Sequence, residues 1–173
     1  MVREWRHLKM LKRAGRGYDC AGVDATGEGE CALLCPACPQ PGKNLPEGWQ
    51  SAPAHKRWLY TLFVGIDANF KLKRKKVSSE KIDPSLSKGW SYFVEEQKYK
   101  SFLKQHKGWP QEKSTCSNYD AMAKANSKDV QYLDSSGAGT VDCIRHDMKR
   151  PNGVGDLQKG ERYCFMCFIM GGL

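Results

Sequence analysis

The chain has 173 residues, enough for one domain or two small ones. Its hydrophobic share of 40% and mean hydropathy of -0.64 allow a modest core, and no apolar run approaches the length of a membrane span, so no membrane role is expected. Lys plus Arg outnumber Asp plus Glu by 28 to 19, for a net charge of +9, which favours an acidic partner; nucleic acid is the commonest one.

The first seventeen residues hold no apolar segment of signal-peptide length, so an intracellular chain is expected. The eight cysteines then read as metal ligands or free thiols before disulfides. Residues 3–14 place Trp5, Leu8 and Leu11 at helical spacing among Arg3, Arg6, Lys9, Lys12 and Arg13, a basic amphipathic helix ended by Gly15 and Gly17. Such a helix can lie on DNA or pack on its own domain with its charges in water. Residues 18–31 are glycine-rich and locally acidic, match no phosphate-binding fingerprint, and read as a loop or short hairpin.

Cys35-Pro-Ala-Cys38 is a C-x2-C knuckle, whose spacing lets two thiolates reach one tetrahedral Zn²⁺. Pro39 and Pro41 argue against the helix that a thioredoxin-like redox motif would open. Residues 46–57 read as a linker or helix start.

Residues 58–76, WLYTLFVGIDANFKLKRKK, are the most informative stretch. Trp58–Ile66 is apolar, aromatic and β-branched, and predicts a buried strand. Phe70–Lys73 alternates and predicts a returning strand with a basic outer face, so a hairpin turning at Asp67-Ala68-Asn69 is expected. Asp67 at the end of such a strand, beside Lys71, Lys73, Arg74, Lys75 and Lys76, suits Mg²⁺-dependent phosphoryl chemistry on a phosphate backbone. A turn carboxylate and an edge strand defended by lysines explain the same residues without chemistry.

Residues 77–90 read as a loop, residues 92–103 as a helix, and residues 114–131 as a second short helix around Ala121–Ala125. Thr140–Ile144 predicts a strand, and Cys143-Ile-Arg-His146 is a C-x2-H pair. With Cys35 and Cys38 it would complete a tetrahedron of three cysteines and one histidine; two unrelated half-knuckles in a cysteine-rich chain are the other reading. Residues 150–160 read as a glycine-rich loop, and the apolar tail from Tyr163 as the start of a strand. Cys20, Cys31, Cys116, Cys164 and Cys167 receive no role.

Together, HLKMLKRAGRGYD at 7–19, LCPACPQPGKNLP at 34–46, LFVGIDANFKLKRK at 62–75, STC at 114–116, CIRH at 143–146 and PNGVGDLQKGERYC at 151–164 resemble the transposases of fungal KDZ elements, with their CxC-like cysteine cluster. The resemblance runs across almost the whole chain. It implies an RNase H-like catalytic fold in which Asp67 is the first acidic residue of a triad that binds two Mg²⁺ ions, activating water or a DNA 3′-hydroxyl for attack on a phosphodiester. It also supports Cys35, Cys38, Cys143 and His146 as structural Zn²⁺ ligands. After Tyr163-Cys164 the family typically continues with Asn-Met-Asp-Tyr, where this chain has Phe165-Met166-Cys167-Phe168. Family transposases are several times longer, with their other two catalytic carboxylates past the last residue here.

The expected fold is α+β: a partial RNase H-like sheet with a zinc-knuckle module, divided into 1–57 and 58–173. It would hold a hairpin at 58–76, a later strand near 139–145 and two helices between, and leave one sheet edge unpaired. The expected function is a truncated, nuclear transposase fragment that binds DNA and zinc and lacks catalysis alone, with another copy or other transposase chains as partners. The alternatives are a non-catalytic zinc-binding interaction module for nucleic acid or protein, and an active nuclease completed by a dimer. In the latter, Asp142, Asp147, Asp156 or Glu161 would assist Asp67.

Overall fold

The computed structural model describes residues 1–76, 79, 81–82, 84–106, 132–157 and 168–170. Helix α1 spans Val2–Arg13, with Glu4 in its first turn and Lys12 and Arg13 in its last, charges that complement the helix dipole. It ends at Gly15, which takes the left-handed φ of 71° that the chain reversal needs. Only Leu11 of its apolar residues is buried; Trp5 and Leu8 stay exposed.

The acidic, glycine-rich loop that follows is folded around Arg16. That side chain is buried, and its guanidinium donates to Thr26 Oγ1 at 3.0 Å and pairs with Asp19 and Glu30 at 2.8 Å each. A loop too polar to form a core therefore gains order from charge-assisted hydrogen bonds. Short 3-10 turns at Trp49–Ser51 and Ala54–Tyr60 lead into the sheet.

Strand β1 spans Val64–Asn69, β2 Arg74–Lys75, helix α2 Glu96–Gln105, β3 Leu133–Ser135, β4 Gly137–Cys143 and β5 Met148–Leu157. β1, β4 and β5 form an antiparallel sheet in the order β1-β4-β5, and β2 pairs with β3 in a separate two-stranded ladder. The outer side of β5 carries residues 91–94 through Val94 N to Val154 O at 3.0 Å and Val154 N to Tyr92 O at 2.9 Å. On the other side β1 is the edge strand among the described residues. Val141, Leu157 and Ile169 are fully buried, and Val64, Ala68, Phe70, Val94, Phe102 and Leu103 pack against them. Helix α2 is thus held to the sheet by its apolar side and by Tyr99, whose hydroxyl donates to Asp156 O at 2.6 Å.

Several expectations are corrected. The hairpin at 58–76 does not form, because β1 pairs with β4 and β2 with β3. Trp58–Tyr60 lies in a 3-10 turn instead of a strand. The alternating run at 70–73 is a turn: Asn69 Oδ1 accepts from Lys71 N at 3.0 Å and ends β1 there. β1 is half-exposed instead of buried, since it sits at the sheet edge. Residues 150–157, read as a loop, belong to β5, and residues 168–170, read as strand, are helical. The strand near 139–145 and the helix at 92–103 appear as β4 and α2. The second helix around Ala121–Ala125, and Cys116, Cys164 and Cys167, lie outside the described residues.

Glycine in β4 and β5 reflects close packing. A Cβ on Gly137 would stand 2.7 Å from Asn69 O and 3.1 Å from Phe70 Cα, and both are backbone atoms that cannot rotate away. A Cβ on Gly153 would stand 2.9 Å from both Val141 O and Arg150 O. Gly137→Ala is therefore expected to lower unfolding free energy by about 2 kcal/mol in urea titration. Gly17→Ala, where a Cβ meets nothing within 4 Å, should change it by less than about 0.5 kcal/mol.

Candidate metal centre and the Asp67 face

Two turns built far apart in the chain meet at the cysteine cluster. In the first, Cys38 N donates to Cys35 O at 3.2 Å, closing the C-x2-C loop. Asn44 braces it: Nδ2 donates to Pro36 O at 3.1 Å and Cys38 O at 2.8 Å, while Oδ1 accepts from Gln40 N at 2.7 Å. Gln40 Nε2 donates to Cys35 O at 2.7 Å. The second turn, residues 144–147, joins β4 to β5. His146 N and Asp147 N both donate to Cys143 O, and Asp147 adopts a φ of 52° that an Asp tolerates in a tight reversal. The sheet thus delivers Cys143 at the end of β4 and His146 on the turn just beyond it.

Cys35, Cys38, Cys143 and His146 each place one ligand atom so that all four lie within 4.8 Å of one another. The His146 Nδ1 is 3.3 Å from Cys35 Sγ, 3.4 Å from Cys143 Sγ and 3.6 Å from Cys38 Sγ. Tetrahedral Zn²⁺ with ordinary bond lengths needs sulfur–nitrogen edges of about 3.6 Å and sulfur–sulfur edges of about 3.8 Å. The nitrogen contacts already match. Cys38 Sγ and Cys143 Sγ are 2.8 Å apart, too far for a disulfide, so a central ion would open that edge by about 1 Å. The three cysteines are buried and free, with Leu62 and Met148 packed around them.

The thiols are electrostatically unequal. Burial, then hydrogen bonds from Cys143 and Cys35, pushes the Cys38 thiol up to about 12. Burial also pushes Cys143 up, but hydrogen bonds from Cys38, His146 and the backbone N–H groups of Arg145 and His146 outweigh it and hold that thiol at about 7. A cation placed among these atoms would take over the role of the shared protons, and the donor set is one that could hold a metal such as zinc. Next to it, the Arg145 guanidinium sits 4.4 Å above the Phe63 ring and 6.0 Å from Trp58, leaving an exposed aromatic and cationic surface on the turn.

Asp67 lies in β1, exposed, with its Oδ1 accepting from Ala68 N at 2.8 Å. It is paired across the ladder with Thr140, so its side chain shares a face with Thr140 and Asp142. Asp142 Oδ2 accepts from Lys149 Nζ at 2.6 Å and from Thr140 Oγ1 at 3.1 Å, while its Oδ1 is buried with no hydrogen-bond partner. The cysteine–histidine cluster is the group of described residues placed to hold a metal ion, and Asp67 is not in it.

Lys71, Lys73, Lys75 and Lys76 are exposed. Arg74 instead pairs with three carboxylates: Asp134 at 2.6 Å, Asp156 at 2.7 Å and Glu96 at 3.3 Å. Burial pushes the Asp156 carboxyl up, against the pull of Arg74. Sequence reasoning placed Arg74 with the phosphate-binding lysines and missed these partners, which no local spacing joins. It also missed Arg16 and Asn44; the position of Asn44 a few residues past the knuckle was the only signal available.

Asn44 holds the first turn without offering a ligand itself. Asn44→Ala should therefore weaken Co²⁺ binding about 10-fold while leaving the thiolate-to-cobalt absorption band in place at saturation. An absorption titration reads both quantities.

The family model of the Kyakuja-Dileera-Zisupton transposases matches residues 60–172. No curated protein and no solved structure matches the chain. The matched span contains Asp67, the basic run and the Cys143–His146 half of the cluster, while Cys35 and Cys38 precede it. On that match, covering well over half of its residues, the chain belongs to the Kyakuja-Dileera-Zisupton (KDZ) transposase family.

Proposed function

We propose that this chain is a DNA-contacting part of a KDZ transposase, stabilised by one structural Zn²⁺ and unable to cleave DNA without further carboxylates. The observation that carries this reading is the convergence of Cys35, Cys38, Cys143 and His146. The ligand set is closed, with no position left over for a substrate, which is the mark of a structural and not a catalytic zinc. On this reading the antiparallel sheet β1-β4-β5 is part of an RNase H-like core, and Asp67 is its first catalytic carboxylate. The segments 1–57 and 58–173 are then two units joined by the metal.

Catalysis in such a core would use two Mg²⁺ ions to activate a nucleophilic oxygen and stabilise the leaving one. Asp67 would hold one of them from the exposed face of β1. Among the described residues Asp67 joins no group of three or more metal-type ligands, and a lone carboxylate is a weak Mg²⁺ site. The remaining carboxylates would come from another transposase chain. Lys71, Lys73, Lys75 and Lys76 would track the phosphate backbone, and a nuclear location follows from that partner. No helix among the described residues is long and apolar enough to cross a membrane.

Elemental analysis of purified chain should give about one zinc per molecule, lost in Cys143→Ser, and chelation should lower the thermal midpoint sharply. Zinc-free but folded wild type would overturn the structural-metal reading. Duplex DNA should bind with a steep salt dependence, each neutralised phosphate adding about 0.9 to the slope of log K against log salt. Replacing Lys71, Lys75 and Lys76 together by Glu should abolish binding. With Mg²⁺ or Mn²⁺ the chain alone should leave plasmid DNA intact; cleavage that Asp67→Ala removes would refute the non-catalytic reading.

A further inference from the structure

A cavity of about 610 Å³ lies between the N-terminal half of α1, the 85–94 segment and the sheet. Its size falls in the range of small-molecule sites. The walls are largely apolar, and Phe93 and Leu72, each 60% exposed, are the most exposed apolar groups on them; Phe93 is the aromatic one. The backbone around Phe93 is pinned on both sides, by Tyr92 O accepting from Val154 N and by Val94 N donating to Val154 O. The ring is thus offered from a fixed point of the backbone, and its exposed face is open to stacking.

Arg3 and His7 of α1 and the exposed Lys73 also line this cavity. His7 is held by stacking on the buried Trp90, with ring centroids 5.8 Å apart, and the Arg3 guanidinium donates to Pro84 O. Two carboxylates, Glu96 and Asp156, also line the cavity, but both pair with Arg74. The acidity of the floor is thus largely neutralised from within, and Lys73 brings an exposed positive charge to the rim.

Position connects the cavity to the rest of the molecule. Lys73 belongs to the exposed basic run, so a phosphate backbone lying on Lys71, Lys75 and Lys76 passes the mouth. Ala138 and Asp156 line the cavity and are paired across the sheet, and Ala138 is opposite Asn69. They share a sheet face with Asp67, two residues from Asn69, or about 7 Å along the strand.

We propose that this cavity is a binding site for a single unpaired nucleotide, with the base stacked on Phe93 and the phosphate held by Lys73. Aromatic stacking beside an exposed lysine suits any base, because every base offers a π face. The site would hold a strand end or an extruded base near Asp67. For a strand as the source, the proposal rests on the DNA-contacting reading above; a free mononucleotide presents the same chemistry.

The test compares three fluorescently labelled duplexes by anisotropy: blunt, with a three-nucleotide unpaired tail, and with the same tail lacking its bases. Binding of dAMP is measured alongside by calorimetry. The tailed duplex is expected to bind about 10-fold tighter than the blunt or base-free ones, the scale of one stacked base. Phe93→Ala should remove that preference and Phe93→Trp should keep it. Lys73→Ala should lower the salt slope by about 1. Saturable dAMP binding lost in Phe93→Ala, with no tail preference, would support the site with free nucleotide as its ligand. Equal affinity for all three duplexes together with no dAMP binding would overturn the proposal while leaving DNA contact standing. Failure to bind any duplex would overturn the DNA reading, and the cavity would then stand or fall on dAMP alone. Circular dichroism and the thermal midpoint of each variant separate lost stacking from lost fold.

Discussion

The rest of the structure depends on the meeting of three thiols and an imidazole from opposite parts of the chain. Cys38 and Cys143 are 105 residues apart in sequence and 2.8 Å apart in space. Closing a loop of about 100 residues costs on the order of 5 kcal/mol in chain entropy. Van der Waals contact among three sulfurs recovers little of that, whereas a structural Zn²⁺ contributes about 10–16 kcal/mol in comparable small sites. A bound ion would exceed the closure cost with a wide margin. Without one, the N-terminal segment is held by its hydrogen bonds and a few apolar contacts. This fits the small cluster of fully buried aliphatic side chains among the described residues, Val141, Leu157 and Ile169.

Two arginines show how a strongly basic chain uses part of its charge for folding. Arg16 gathers Asp19, Thr26 and Glu30 into an otherwise coreless loop. Arg74 gathers Glu96, Asp134 and Asp156, and so ties β2 to β3, α2 and β5. Planar guanidinium with several donors suits both tasks better than lysine would. The lysines flanking Arg74 remain in water. The run from Lys71 to Lys76 therefore divides by residue type: its arginine is a structural rivet, and its lysines are the surface.

Part of this was legible in the sequence. Cys35-x2-Cys38 and Cys143-x2-His146 were readable because metal geometry restricts ligand spacing, and their union followed from counting ligands for one tetrahedron. β4 and α2 were readable from composition. The hairpin was not, because the alternation at 70–73 imitates a strand while Asn69 folds its side chain over Lys71 N and stops β1. The error at 150–157 has a different origin. Gly153 and Gly155 look like loop glycines, yet a Cβ on Gly153 would stand 2.9 Å from two backbone oxygens and one on Gly155 would press on Ile169 Cδ1 at 3.0 Å. Glycine demanded by close packing and glycine demanded by a turn leave the same letter. The three acidic partners of Arg74 lie on three different elements, so no window of sequence contains them.

The order in which the four metal-type ligands are made has a consequence for the cell. Cys35 and Cys38 leave the ribosome first, and Cys143 follows 105 residues after Cys38. At about 5–20 residues per second, the first pair waits on the order of 5–20 s for its partners. Throughout that interval an open dithiol stands on the nascent chain, able to take a soft metal or an oxidant that the finished, buried cluster would turn away. The sheet that later encloses these thiols also ends that exposure, so the speed of translation between the two knuckles sets how long the young protein is chemically vulnerable.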